Sequence, residues 1–112
     1  MADWVTVAQA DEIAPGAVKV VDLDGANVAI FNIDGEYLAL EDVCSHDGGE
    51  LASGKVDGDQ IICARHGARF CLRTGEALCA PAYEPTAVFP VQMLGSAIQI
   101  KDERWDWQQC NI

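Results

Sequence analysis

Short runs of apolar residues, some alternating with polar ones and some nearly continuous, recur from Gly16 to Val21, Ala26 to Ile33, Glu36 to Leu40, Gln60 to Ala64, Ala68 to Leu72, Thr86 to Gln92 and Ala97 to Lys101. Runs this short, bounded by turn residues, are those of β-strands. The turns fall at Asp24-Gly25, Asp34-Gly35, Asp57-Gly58, Thr74-Gly75 and Gly95-Ser96. Asp34-Gly35 between two apolar runs is a two-residue hairpin signal. Gln9-Ala10-Asp11-Glu12 is read as one helical turn. The pattern predicts an all-β, antiparallel sandwich or small barrel. No internal repeat, low-complexity tract or linker interrupts it. A chain of 112 residues and 12.0 kDa has room for one modest core. Residues 1–112 are therefore expected to form a single domain, with a core over about 3–101 and a C-terminal tail over 102–112. Trp105 and Trp107 of that tail are expected to fold back over the core.

Composition narrows the setting. No apolar run approaches the ~18 to 20 residues of a membrane span, and Met1-Ala2-Asp3-Trp4 lacks the basic-then-apolar pattern of a signal peptide. The expected location is the cytoplasm. Eighteen acidic residues against seven basic ones give a formal charge of -11. That balance disfavours nucleic acid and anionic membranes and favours partners with basic docking faces. The acids crowd the first half: up to Gly54, eleven face Lys19 alone.

Five cysteines are an odd number, better read as ligands or reduced thiols than as a disulfide framework. The two histidines, His46 and His66, both sit in cysteine-bearing segments, Cys44-Ser45-His46-Asp47-Gly48-Gly49 and Cys63-Ala64-Arg65-His66-Gly67-Ala68. Each segment supplies one thiolate and one imidazole, and glycine soon after each histidine lets backbone N–H groups approach an inorganic centre. The stretch between the segments is long enough for one hairpin. Structural zinc sites usually pair cysteine with cysteine and histidine with histidine. Mixed pairs fit a 2Fe-2S cluster in which one iron takes two thiolates and the other two imidazoles. A two-cysteine, two-histidine zinc module stands as the alternative.

The spacing Cys-x-His, sixteen residues, Cys-x-x-His resembles that of the small Rieske ferredoxins that feed electrons to bacterial aromatic-ring dioxygenases. The likeness continues through His66-Gly67-Ala68-Arg69-Phe70, Thr74-Gly75-Glu76-Ala77-Leu78, Pro81-Ala82 and Phe89-Pro90-Val91. It implies a Rieske-type antiparallel β-sandwich with a small cluster-binding subdomain. It also implies that Cys44 and Cys63 bind the inner iron, that His46 and His66 bind the outer iron at an exposed tip, and that Pro81 lies in a third, shielding loop. The implied function is that of a one-electron carrier, not itself an enzyme. It would pass electrons from a flavin-dependent, NAD(P)H-oxidising ferredoxin reductase to a terminal ring-hydroxylating oxygenase, and act as a monomer. A mononuclear-iron oxygenase would need further histidines, and a reductase would need nucleotide-binding motifs such as G-x-G-x-x-G. The alternatives are a ferredoxin for nitrite reduction or iron-sulfur assembly, and a redox sensor.

Charge counting sets the expected potential. A doubly positive oxidised core with two thiolates and two neutral imidazoles is neutral, whereas four thiolates leave it doubly negative, so the mixed site is easier to reduce. Such centres span about -150 to +300 mV against about -400 mV for plant-type ferredoxins. High-potential relatives carry a disulfide and hydroxyl donors near the cluster. Gly49, Ala64, Ala68 and Phe70 offer neither here, which places this protein at the low end. Cys71 and Cys79 are expected to be buried reduced thiols, and Cys110 incidental. Arg65, Arg69 and Arg73 are expected to pair with Glu41, Asp42, Asp47 or Glu50. Those four acids, near solvent, would border the docking surface.

Overall fold

The computed structural model describes residues 4–23, 25–42, 51–63, 67–78 and 86–101. Ten strands and one short helical turn appear among them. β1 (Trp4–Gln9) leads into the turn Ala10–Glu12, followed by β2 (Val18–Leu23), β3 (Ala26–Ile33) and β4 (Glu36–Glu41). After these come β5 (Lys55–Asp57), β6 (Gln60–Ile62), β7 (Arg69–Cys71), β8 (Val88–Phe89), β9 (Val91–Leu94) and β10 (Ala97–Lys101). All pairings are antiparallel, in three sheets ordered β1-β10-β9, β2-β3-β4-β8 and β5-β6-β7.

The sheet of β2, β3, β4 and β8 forms the middle layer, and β3 shows why. Its residues from Val28 to Asn32 are all buried, although side chains of a strand alternate between two faces. Both faces are covered. Ala29 and Phe31, with Leu40 of β4, pack toward Ile61, Phe70 and Leu72 of the β5-β6-β7 sheet. Val28 and Ile30, with Ala39, pack toward Ala8, Ile98 and Ile100 of the β1-β10-β9 sheet. A sandwich carrying a smaller third sheet results, matching the all-β expectation and its small subdomain.

The Asp34-Gly35 hairpin forms as read, with Ile33 opposite Glu36 and both turn residues at positive φ, 53° and 92°. Asn32 braces it: its amide donates to Ile13 O at 2.8 Å and its Oδ1 accepts from Gly35 N at 2.7 Å. The hairpin expected between the two cysteine segments is β5-β6.

Two expectations need correction. The run from Thr86 to Gln92 is two strands, because Pro90 has no N–H for a ladder. β8 pairs with β4 in the middle sheet, and β9 crosses to β10 in the outer one. β1 is a strand beyond those that the apolar runs predict. It lies on the outside, exposed or half-exposed except at Ala8, and a register shift between Thr6 and Ala8 breaks its alternation. Asp24 and the tail 102–112, with Trp105, Trp107 and Cys110, lie outside the described residues.

Candidate metal centre

Of the four sequence-predicted ligands, Cys63 is among the described residues, while Cys44, His46 and His66 are outside them. Cys63 follows β6 directly. It is 1% exposed, its thiol is free of any disulfide, and it packs with Leu51, Ala68 and Phe70. Its N–H donates to Ala68 O at 2.7 Å, and its carbonyl accepts from Gly67 N at 3.1 Å. The segment 64–66, with Ala64, Arg65 and His66, thus leaves and rejoins the described structure at one point.

The segment 43–50 is closed in the same way. The Asp42 carboxylate oxygen Oδ1 accepts hydrogen bonds from Leu51 N and Ala52 N, both at 2.7 Å, and Asp42 N donates to Asn27 O at 2.8 Å. Asp42 is therefore buried and engaged with backbone, not a solvent-facing member of a docking rim, which corrects the expectation for that residue. The sequence signal for this is faint: an aspartate two residues before Cys44 reads equally well as surface charge.

The ends of the third segment, 79–85, are tied to the first two. Leu78 N donates to Arg69 O at 2.8 Å and Thr86 N to Gly75 O at 2.9 Å, while the Thr86 hydroxyl donates to Glu41 O at 3.3 Å. Glu41 N donates in turn to Ala87 O at 2.9 Å. All three segments therefore spring from one hydrogen-bonded knot, with Leu51, Cys63 and Ala68 in its apolar filling. Pro81 and Cys79 fall within the third segment, and Asp47, Gly49 and Glu50 within the first, outside the described residues.

Arg69 and Arg73 do not pair as expected, and Arg65 lies outside the described residues. Arg69 Nη1 meets Asp57 Oδ2 and Gln60 Oε1, both at 3.0 Å. Arg73 meets Glu36 at 2.6 Å and Asp59 at 3.6 Å. Arg69 lies on β7 beside the β5-β6 hairpin, so the hairpin's own acids reach it first. Arg73 holds the Glu36 carboxyl below the usual carboxylate range through its hydrogen bond. Exposed pairs of this kind add little to stability, because solvent screens them and two long side chains must be held in one geometry.

Cys71 is half-buried and free, and the Thr74 hydroxyl bonded to its sulfur holds the thiol below its ordinary pKa. A groove of about 540 Å³ runs along Glu36–Ala39 and Val88–Met93. It adjoins the start of β4, whereas the first cysteine segment follows its end, so the groove is not the candidate centre.

The donor set suits a 2Fe-2S cluster. The protein offers two thiolates and two imidazoles in mixed pairs. The one candidate donor described, Cys63, is a free, buried cysteine in an apolar nest, pinned through its own N–H and C=O. A buried, pinned thiolate of this kind would serve a zinc ion as well as a cluster, and it is the mixed cysteine-histidine pairing of the sequence that favours two unlike irons.

Comparisons with known proteins point the same way. A family model described as the Rieske [2Fe-2S] domain matches residues 3–90. The biphenyl dioxygenase ferredoxin subunit of Pseudomonas sp. strain KKS102 is 39% identical over 95 residues, covering 84% of this chain and 87% of that protein. The ferredoxin of carbazole 1,9a-dioxygenase from Nocardioides aromaticivorans IC177 superposes with a TM-score of 0.83 at 29% identity, covering 87% of this chain and 95% of that one. A chain from a solved complex of reduced oxygenase and oxidised ferredoxin in carbazole 1,9a-dioxygenase gives a TM-score of 0.81 at 32% identity, covering 87% and 91%.

Proposed function

The chain belongs to the Rieske [2Fe-2S] domain family, and on that premise we propose that it is the ferredoxin component of an aromatic-ring dioxygenase system. It is an electron carrier and not the catalytic enzyme, as the similar ferredoxin subunits are. In this reading residues 1–112 are one domain and each chain holds one cluster, with Cys44 and Cys63 on one iron and His46 and His66 on the other. When bound, the cluster supplies a centre that gains and loses one electron. The observation that carries the ligand assignment is Cys63: a free thiol, fully buried, held where the second Cys-x-x-His segment begins.

The chain's residues set the energy and the access of that centre. Leu51, Ala68 and Phe70 keep water from the Cys63 side, and neither Ala68 nor Phe70 brings a hydroxyl to reduced sulfur. A donor added there should favour the reduced state. Ala68→Ser is expected to raise the potential by tens of millivolts, since ~1 kcal/mol of extra hydrogen bonding in one state is about 40 mV for one electron. A buried hydroxyl without an acceptor costs about 1–3 kcal/mol, so the serine is driven to find one. Voltammetry with an unchanged potential, in a variant shown crystallographically to hold the new hydroxyl toward the cluster, contradicts this account of the low potential.

The partners in this reading are an NAD(P)H-dependent reductase and a terminal oxygenase, met by a monomer. A similar ferredoxin is seen in complex with the oxygenase of carbazole 1,9a-dioxygenase. The acidic excess supports a basic docking face on the partner. Attraction between exposed charges is screened over ~10 Å at 0.1 M salt and acts mainly on association. Electron delivery to the oxygenase is therefore expected to slow several-fold across a salt series in stopped-flow traces. Asp47→Asn and Glu50→Gln should lower both the rate and its salt sensitivity without moving the potential appreciably. Rates flat or rising with salt contradict electrostatic docking. No helix among the described residues is long and apolar enough to cross a membrane.

A further inference from the structure

We infer that Asp42 is a positioning residue for the metal centre: its carboxylate closes the segment carrying Cys44 and His46 and so sets those two ligands against Cys63. The inference rests on the ligand assignment proposed above. Eight residues separate Asp42 from Leu51, and a loop of that length has many closures unless its ends are fixed. Here one oxygen fixes both. Asp42 Oδ1 takes the N–H groups of Leu51 and Ala52, each at 2.7 Å, while its own N–H holds Asn27 O of β3 at 2.8 Å.

The residue is 7% exposed, and among the described residues no basic side chain pairs with its carboxylate. Backbone N–H groups are what satisfy its buried oxygen, and hydrogen bonds of 2.7 Å fix both separation and direction. The far end of the clip is equally fixed, because Leu51 is fully buried against Cys63, Ala68 and Phe70. Cys44 follows Asp42 by two residues and His46 by four. A change at the clip is therefore passed to two ligands while Cys63 stays in place. Thr86 reinforces the same point by donating its hydroxyl to the carbonyl of Glu41, the neighbour of Asp42.

The test uses the intact protein with its cluster. Asp42→Ala should shift and broaden the principal g values of the reduced electron paramagnetic resonance spectrum. It should also speed cluster loss to a chelator about tenfold, equivalent to ~1.4 kcal/mol. Asp42→Asn keeps a carbonyl oxygen able to accept both N–H groups and should restore parental g values and loss rate. Asn32→Ala removes a comparable buried clip at the opposite end of β3. It should lower the melting temperature at least as far as Asp42→Ala with parental g values. Parental spectra and loss rate in Asp42→Ala, or the same spectral change in Asn32→Ala, overturn the positioning role. If Asp42→Ala does not fold, Asp42→Gln decides against Asp42→Asn. Its acceptor lies one methylene further out, so it should shift the g values, and spectra matching those of Asp42→Asn overturn the role. A parent protein lacking the 2Fe-2S signal overturns the ligand assignment itself, and the positioning role with it.

Discussion

Cys63→Ala is expected to give a colourless protein without acid-labile sulfide, whereas Cys71→Ala keeps its colour and its sulfide in full. The two cysteines are the described free thiols, and their surroundings separate them. Cys63 is buried where the chain leaves β6, its backbone bonded to Ala68 and Gly67 on the far side of the second ligand segment. Under the proposed ligand assignment, removing its sulfur removes one of the two thiolates on the inner iron, and the flanking hydrogen bonds cannot replace a metal ligand. Cys71 pairs across the sheet with Gln60, three residues before Cys63, or about 10 Å away at the rise of a strand. Its sulfur is engaged by the Thr74 hydroxyl at the turn that follows β7. Cys44→Ala should behave as Cys63→Ala does. Iron and sulfide analysis with visible spectra checks all three, and a cluster lost from Cys71→Ala contradicts the assignment.

Gly54→Ala should be nearly as damaging, although residue 54 is no ligand. A Cβ there would collide with Ile62 O and lie 3.1 Å from Leu51 O, both backbone atoms. Neither can yield cheaply. Ile62 precedes Cys63, and Leu51 is the residue whose N–H the Asp42 carboxylate holds. The methyl group would push apart the roots of the two ligand segments. Overpacking of this kind costs about 3 kcal/mol, a fall in Tm of roughly 10 °C or more for a domain of this size. The cluster should be substoichiometric or absent. Gly95→Ala is the contrast. Its φ of +63° makes alanine unfavourable by about 1–2 kcal/mol, but its Cβ meets open space in the turn between β9 and β10 of the outer sheet. It should lose stability and keep a full cluster. Thermal unfolding followed by circular dichroism, with iron and sulfide counts, checks the pair. Equal cluster content in the two variants contradicts the close approach at Gly54.

Much of this is legible in the chain. β3 and β10 end where the apolar runs end, and Asp34-Gly35 dictates its hairpin because aspartate and glycine tolerate positive φ. The Cys-x-His and Cys-x-x-His spacing by itself points to the chemistry, since mixed pairs suit two unlike irons. Features decided at a distance are illegible. Pro90 alone does not reveal that β8 and β9 belong to different sheets, because that depends on which neighbour each strand meets. β1 lacks a buried alternation because it is an outer, bulged strand. The partners of Arg69 and Arg73 follow from the β5-β6 hairpin and the start of β4, which approach them only in the fold. Asp42 reads as one more acid in an acidic half, and only the fold turns it inward onto two amides.

The central claim is most directly tested on the purified parent protein, made under iron-replete conditions and reduced by one electron. The account predicts two irons and two acid-labile sulfides per chain. It also predicts a paramagnetic mixed-valence pair whose electron-nuclear double resonance shows coupling to two histidine nitrogens. One zinc per chain without sulfide, or a 2Fe-2S signal without nitrogen coupling, would contradict it.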